Sequence, residues 1–282
     1  MTDKTTFVKA LRPFSLIVAI ATCGLGVSLA LIEGIENFGL VWLVMITGVL
    51  LQVAVNLTND YQDINNKQFT EVQLQAINRN TKIGWMIMLL AIILGLYMVS
   101  IRGWPLLLLG IVGIFGAWGY TGGQINYKNR GLGVLLVFLF MGVLLIGGSY
   151  YVIAGTYHWN IFWLSIPFSL LSSLLLLSNE LRDYETDLAD GIKTLSVRLG
   201  YSIGVKLYYW LVVLTYMVSV LLYQANILHG IILILITMLV LWQPLKLLNT
   251  AKKQRYRLTS LTGRFYFIYS VVYIATIWIP LP

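Results

Sequence analysis

The sequence predicts an all-α, polytopic membrane protein, a single domain over residues 1–282 built from nine transmembrane helices. Composition carries the first part of that prediction. The chain is 59% hydrophobic and only 11% charged, whereas soluble domains average about 25% charged residues. Its mean hydropathy is +0.82. Apolar runs of about 20 residues, the length that crosses a bilayer, follow one another with short polar breaks. Finally, 18 of the 19 basic residues fall on alternate breaks, the asymmetry expected of cytoplasmic loops.

The first span, 13–32, follows the basic start MTDKTTFVKALRPF, which reads as the lead-in to a retained span rather than a removable signal. The second, 39–58, runs into the polar stretch Asn56-Leu-Thr-Asn59-Asp60-Tyr-Gln-Asp63-Ile-Asn-Asn66. Spans three and four, 83–101 and 104–121, are joined by a tight hairpin at Gly103–Trp104–Pro105. The fifth and sixth are 132–154 and 160–178, the sixth leading into Asn179-Glu-Leu-Arg182-Asp183-Tyr-Glu-Thr-Asp187-Leu-Ala-Asp190. Spans seven and eight are 204–223 and 227–248. The ninth, 265–281, is short and rich in Tyr and Trp, which favour membrane interfaces.

With the N-terminus inside, every basic residue except Arg102 is cytoplasmic and the C-terminus is outside. The net charge of +8 is thereby explained by loop bias and not by nucleic-acid binding. The single cysteine, Cys23, excludes an intrachain disulfide and reads as a packing residue. His158 and His229 stand alone in predicted loops, which argues against a histidine-based metal or haem site.

Eight of the eleven acidic residues lie in two clusters, Asp60, Asp63 and Glu71, then Glu180, Asp183, Glu185, Asp187 and Asp190. The topology puts both on the cytoplasmic side. Carboxylates beside a bilayer are costly and mark function. Positions four apart share a helix face, so Asn59 aligns with Asp63, and Asn179 with Asp183 and Asp187. Like charges on adjacent turns repel, and a hard cation relieves that repulsion. Magnesium takes oxygen ligands and binds through one or two carboxylates plus substrate phosphates. Two such stripes can hold a diphosphate between magnesium ions, with Arg182, Lys193, Arg198 or Lys128 neutralising its remaining charge.

A solvated helix end explains a lone Asp but not two matched stripes in so acid-poor a chain. An ion-coupled transporter is the competing class, although its carboxylates belong at the midplane beside broken helices. Asp60 and Glu185 lie off the stripes and read as solvated in preference to supporting the ligands from behind, and Glu71 and Asp190 as supporting or solvated. The run Lys252–Lys253–Gln254–Arg255–Tyr256–Arg257 reads as a topology determinant or lipid-headgroup contact. Gly122–Gly123 and Gly147–Gly148 read as sites of close helix packing.

NLTNDYQD (56–63) and SNELRDYETDLADGIKTLSVRLG (178–200) together resemble the paired Asp-rich motifs of the UbiA superfamily of membrane prenyltransferases. The closest resemblance is to the 1,4-dihydroxy-2-naphthoate polyprenyltransferases of menaquinone biosynthesis. It extends to the Tyr-Thr-Gly-Gly and Arg-Gly-Leu-Gly region within 120–152 and to LRPFSLIVAIATCGLGVSLA at 11–30, so it covers essentially the whole chain. The resemblance implies nine helices around a central cavity, with magnesium-bound diphosphate under a cytoplasmic cap. It matches Asn59 and Asp63 to the first motif and Asn179, Asp183 and Asp187 to the second. Arg182 and Arg198 match basic positions facing the diphosphate, and Tyr120 and Lys128 fall near the aromatic acceptor.

What the resemblance implies chemically is magnesium-dependent transfer of a polyprenyl group from its diphosphate to 1,4-dihydroxy-2-naphthoate, with loss of CO2 to give demethylmenaquinol. The partners are a polyprenyl diphosphate, the aromatic acceptor and the bilayer of the cell membrane. A different aromatic acceptor is the alternative within the superfamily. The chain departs from the pattern in three places. The segment after the first motif, NNKQFTEVQLQAINRNTKIGW, is short and lacks a Gly-x-Asp; Val134 stands where an acidic residue follows Gly-Leu-Gly; and Ile192 replaces a lysine, with Lys193 one place later.

Overall fold

The computed structural model describes residues 6–64, 69–121 and 125–279, and among them every regular element is helical. A short α1 (Phe7–Ala10) precedes α2 (Pro13–Ile32), α3 (Phe38–Asn59) and a 3-10 turn at Asp60–Asp63. Next come α4 (Glu71–Arg102) and α5 (Trp104–Thr121). A further span is built from α6 (Gly133–Val137), a π-helical stretch over Phe138–Leu144 and α7 (Leu145–Ala154). Then follow α8 (Trp159–Ala189), the short α9 (Leu195–Leu199) and α10 (Tyr201–Gln224). The chain closes with α11 (Ile231–Ile236), α12 (Met238–Leu248) and α13 (Leu258–Ile277).

The all-helical, multi-pass class is as the sequence predicts. Among the described residues, seven helical segments are long and apolar enough to cross a membrane: α2, α3, α4, Gly133–Ala154, α8, α10 and Ile231–Leu248. The other two expected spans are also helical. Trp104–Tyr120 is a shorter apolar helix, and α13 has 20 residues with Tyr, Ser and Thr threaded through it.

Element boundaries differ from expectation where polar sequence continues a helix. The third span begins at Glu71, twelve residues earlier than its apolar run, because Thr70 and Gln73 form a reciprocal capping box there. The sixth continues to Ala189, so the second acidic motif is helical throughout. The first motif is not: the α-helix ends at Asn59 and the chain tightens into a 3-10 turn, so the α-helical spacing from Asn59 to Asp63 is interrupted. The Asp63 side chain, Asn66, Gly122, Gly123 and the end of the ninth span lie outside the described residues.

The core is organised around α8, 78% of whose apolar window is buried, against 17% for α4. Edge-on aromatic contacts join α8, α10 and α13: Phe168 meets Tyr266, Tyr269 and Tyr273 at centroid distances of 6.1, 6.4 and 5.3 Å. Buried phenols need polar partners, and these have them. Tyr266 pairs with Ser172 at 2.9 Å, Tyr269 with Ser219 at 2.6 Å, Tyr216 with Thr237 at 2.7 Å and Tyr208 with Thr262 at 2.8 Å. Because lipid is as apolar as the helix faces, packing and such interhelical bonds supply the association energy that hydrophobic burial supplies in water.

Close backbone approach does the same between α2 and α7. A Cβ on Gly26 would lie 2.5 Å from the Ile146 carbonyl oxygen and 2.9 Å from the Tyr150 nitrogen. Gly147 and Gly148 sit in the tight packing expected of them, against Tyr157 and Leu109. Gly26→Ala should therefore force α2 and α7 apart and cost about 1–3 kcal/mol. Thermal unfolding of the detergent-solubilised protein checks this. Gly95→Ala, where a Cβ meets nothing within 4 Å, should leave the midpoint unchanged or slightly raised.

Candidate active site

The first motif is assembled around an elbow in the N-terminal segment. Arg12 joins α1 to α2 in the left-handed region (φ 46°), a costly conformation for a residue with a Cβ. Asn56, buried on α3, holds the elbow by donating to the Leu11 carbonyl and to Ser15 Oγ, both at 2.7 Å. The result aims the Arg12 guanidinium at the end of α3. It donates to Asp60 Oδ1 at 2.8 Å. Oriented with its oxygen toward the guanidinium, the Asn59 amide accepts from Nη1 at 2.6 Å.

The second motif is held from two directions. Arg182 forms a bidentate pair with the adjacent Asp183, Nε to Oδ1 at 2.9 Å and Nη2 to Oδ2 at 2.6 Å. Its third arm, Nη1, donates to Thr259 Oγ1 on α13 at 3.1 Å, and Thr259 in turn donates to Asn179 Oδ1 at 2.9 Å. One turn on, the buried Arg255 donates to the Leu181 carbonyl at 2.9 Å and pairs with Glu185, while its guanidinium lies 4.4 Å from the Tyr201 ring centroid. Two expectations are corrected by these contacts. Asp60 and Glu185 are ion-paired and not simply solvated, and Arg255 turns inward, away from the lipid-headgroup role assigned to its loop.

Glu180, seven residues before Asp187, turns toward α9 and not α13. It is buried, and its Oε2 accepts from the Ser196 backbone N–H at 3.0 Å, in the first turn of α9. The Gly133 backbone lies between this carboxylate and Tyr120: a Cβ there would be 3.4 Å from the Tyr120 ring and 3.8 Å from Glu180 Oε1.

The segment behind Tyr120 is built for rigidity. Lys128 N–H donates to the Tyr120 carbonyl at 3.0 Å. Tyr127 stacks edge-on against Tyr120 at 5.5 Å and donates its hydroxyl to the Gly116 carbonyl. Burial pushes the Tyr127 hydroxyl up to about 12, so it remains a neutral donor. Arg198 donates to the Asn129 and Lys193 carbonyls at 2.6 and 3.1 Å, lacing this segment to the one after α8. Its stem crosses Gly131 so closely that a Cβ would lie 2.7 Å from Cδ, and Gly131 itself has φ +74°. Lys193 is exposed and receives Asn129 Oδ1 on its own N–H at 3.3 Å; Ile192 beside it is buried.

Asn179, Asp183 and Asp187 thus follow one another at i, i+4 along one helix end, with Arg182 paired to Asp183, and Asn59 stands at the end of another helix. Sequence reasoning missed Arg12, Thr259 and Arg255 as parts of this arrangement, and gave Glu180 no role. Their partners lie 48, 80 and 70 residues away in the chain, beyond any local pattern. Among the described residues no three His, Cys, Asp or Glu side chains form a ready metal cluster. The donors at hand, two amides and the carboxylates of Asp183 and Asp187, are all oxygens and suit a hard cation. Arg182 already occupies both oxygens of Asp183 as an internal counter-ion, which is the place a cation would share.

Comparison with known proteins follows the same lines. A Haemophilus influenzae protein called 1,4-dihydroxy-2-naphthoate octaprenyltransferase is 35% identical over 207 residues, 67% of this chain and 67% of its own length. The Escherichia coli protein of the same name is 32% identical over 213 residues, 69% of this chain and 68% of that one. Among solved structures, a UbiA homolog from Aeropyrum pernix superposes with a TM-score of 0.66 at 13% identity, covering 93% of this chain and 96% of the other. A homolog from Archaeoglobus fulgidus bound to GPP and Mg2+ gives 0.63 at 13% identity, with 95% and 99% covered. At that identity the structural likeness speaks for the fold alone. The family model reaches further along the sequence than either octaprenyltransferase alignment, matching residues 18–272 with both acidic motifs inside it, and this chain belongs to the UbiA prenyltransferase family.

Proposed function

We propose that this protein transfers a polyprenyl group from a polyprenyl diphosphate to 1,4-dihydroxy-2-naphthoate, releasing CO2 and giving demethylmenaquinol. The observation that carries the proposal is a pair of oxygen-rich helix ends, each with its own arginine: Arg12 at Asn59 and Asp60, and Arg182 at Asp183 and, through Thr259, Asn179. The names of the H. influenzae and E. coli relatives support the naphthoate acceptor, and the GPP and Mg2+ bound by the A. fulgidus homolog support the donor class and the metal. Family membership displaces the transporter alternative.

In this reading Asn59 and Asp63 on one side, and Asn179, Asp183 and Asp187 on the other, hold magnesium. When bound, magnesium supplies charge withdrawal from the diphosphate as the allylic C–O bond breaks. Arg182 and Arg12 stand beside those ligands as fixed cations, so negative charge developing on the leaving oxygens meets preorganised donors. Lys128, Lys193 and Arg198 surround the same end, Arg198 chiefly through the segment it laces in place. Tyr120 and the buried rim around Gly133 form the wall against which the acceptor ring is placed. The electron pair of the broken C–O bond leaves with diphosphate, the carboxylate-bearing ring carbon supplies the pair for the new C–C bond, and the ring–carboxylate bond then breaks, its pair returning to the ring as CO2 departs. Carrying this out within an apolar bundle keeps water from capturing the allylic cation. The positive-inside asymmetry supports a motif-bearing end and N-terminus in the cytoplasm and a C-terminus outside.

Membranes containing the protein, given magnesium, a polyprenyl diphosphate and 1,4-dihydroxy-2-naphthoate, should yield a prenylated naphthoquinol by mass spectrometry. Asp183→Ala and Asp63→Ala should each lower the rate at least about 100-fold, the scale of losing a principal transition-state contact. A wild-type protein that makes no product from any aromatic acceptor sinks the proposal. A different prenylated product would retain the chemistry and replace the acceptor. Chelation with EDTA should abolish turnover, and added magnesium should restore it; turnover that persists after exhaustive chelation would remove the metal from the reaction.

A further inference from the structure

The second motif does not set its own geometry. Asn179 and Arg182 are on α8, but the atom joining them is the Thr259 hydroxyl, in the first turn of α13. Thr259 is buried at 4% exposure, so water does not compete for it. A guanidinium has only donors. Arg182 Nη1, at 3.1 Å, therefore obliges Thr259 Oγ1 to accept, and the hydroxyl proton is left to Asn179 Oδ1 at 2.9 Å. That fixes which end of the Asn179 amide faces α13. It also fixes the plane of the guanidinium, whose other two arms grip Asp183.

The same stretch of chain makes a second attachment four residues earlier. Arg255, only 3% exposed, grips the Leu181 carbonyl and Glu185 on the neighbouring turn of α8. The segment leading into α13 is thereby fastened to the motif helix at both places.

We infer that Thr259 is a positioning residue for the metal–diphosphate site, holding the Asn179 amide and the Arg182 guanidinium in register when Asp183 passes from its arginine to a cation. This rests on the functional reading above. Without the hydroxyl, Arg182 keeps only its flexible contact to Asp183 and Asn179 is free to rotate. Both consequences weaken cation and diphosphate binding, while the apolar packing of α13 stays.

The test uses the full chain in detergent with Mn2+ and inorganic diphosphate as probes, bound Mn2+ being read by electron paramagnetic resonance. Turnover KM and kcat are measured alongside. Thr259→Val and Thr259→Ala should weaken Mn2+–diphosphate binding about three- to tenfold, the value of one or two hydrogen bonds. KM for the prenyl diphosphate should rise in step, and Thr259→Ser should stay within about twofold of wild type on the same scale. In a double-mutant cycle with Asn179→Ala the losses should be less than additive. Wild-type affinity in both hydroxyl-less variants overturns the inference, as does an equal loss in Thr259→Ser or full additivity with Asn179→Ala. Failure of the functional reading looks different: the wild type would bind Mn2+ and diphosphate, respond to Thr259 substitution, and make no prenylated product.

Discussion

Three carboxylates at the polar end of this bundle are each met by an arginine: Asp60 by Arg12, Asp183 by Arg182 and Glu185 by Arg255. An uncompensated charge near hydrocarbon is expensive, so the helices that bear these acids can end where they do only with their counter-ions in place. Two of the three arginines come from other elements, the α1–α2 elbow and the segment before α13. The pairs differ in what they fix. Arg12 and Asp60 are partly exposed, and such a pair adds at most about 1 kcal/mol. Its value lies in bringing a cation to Asn59. Arg255 is almost fully buried, and there the loss of Glu185 would strand a charge in the protein, a cost of about 3–5 kcal/mol.

The hydroxyl network deeper in the bundle gives those pairs a rigid base. Tyr208, Tyr266 and Tyr269 each span a helix–helix interface to a Thr or Ser, and Tyr273 donates to the Leu164 carbonyl at 3.1 Å. These bonds register α13 against α8 and α10 along the length of α13. The register matters at its first turn, where Thr259 must reach both Asn179 and Arg182. A shift of one turn would carry the hydroxyl about 5.4 Å away and break both contacts.

Much of this was legible in the sequence because lipid imposes simple rules. Apolar length located the helices, and the near-exclusive placement of basic residues on alternate breaks put both acidic motifs at one end. The i, i+4 spacing of Asn179, Asp183 and Asp187 survives intact on α8. At Asn59–Asp63 the α-helix yields to a 3-10 turn that no hydropathy pattern announces. Polarity before 83 hid the first turns of α4, which begin at Glu71. A helix leaving the bilayer keeps its backbone bonds in water, and only its side chains change character. Asp60 and Glu185 looked solvated because their arginines are distant in sequence. Arg255 looked like its neighbours Lys252 and Lys253 because composition carries no burial.

Two of the three departures from the family pattern, Val134 and Ile192, keep their backbone attachments. Gly131 and the Arg198 stem that crosses it show that the Arg-Gly-Leu-Gly element works through backbone shape, since φ +74° and the close Cδ leave no room for a side chain. Val134, two places after Leu132, is buried, and its carbonyl accepts from Ser173 Oγ at 2.7 Å, so its anchoring is by backbone and does not depend on an acid. At 192 the lysine is lost, yet Gly191 (φ +69°) turns the chain so that Ile192 packs inward and Lys193 stays outside, tied to Asn129. Each substitution changes a side chain while the backbone attachment persists. Arg182 and Asp183 are held by bonds to each other and to Thr259 on α13, and neither Val134 nor Ile192 takes part in them.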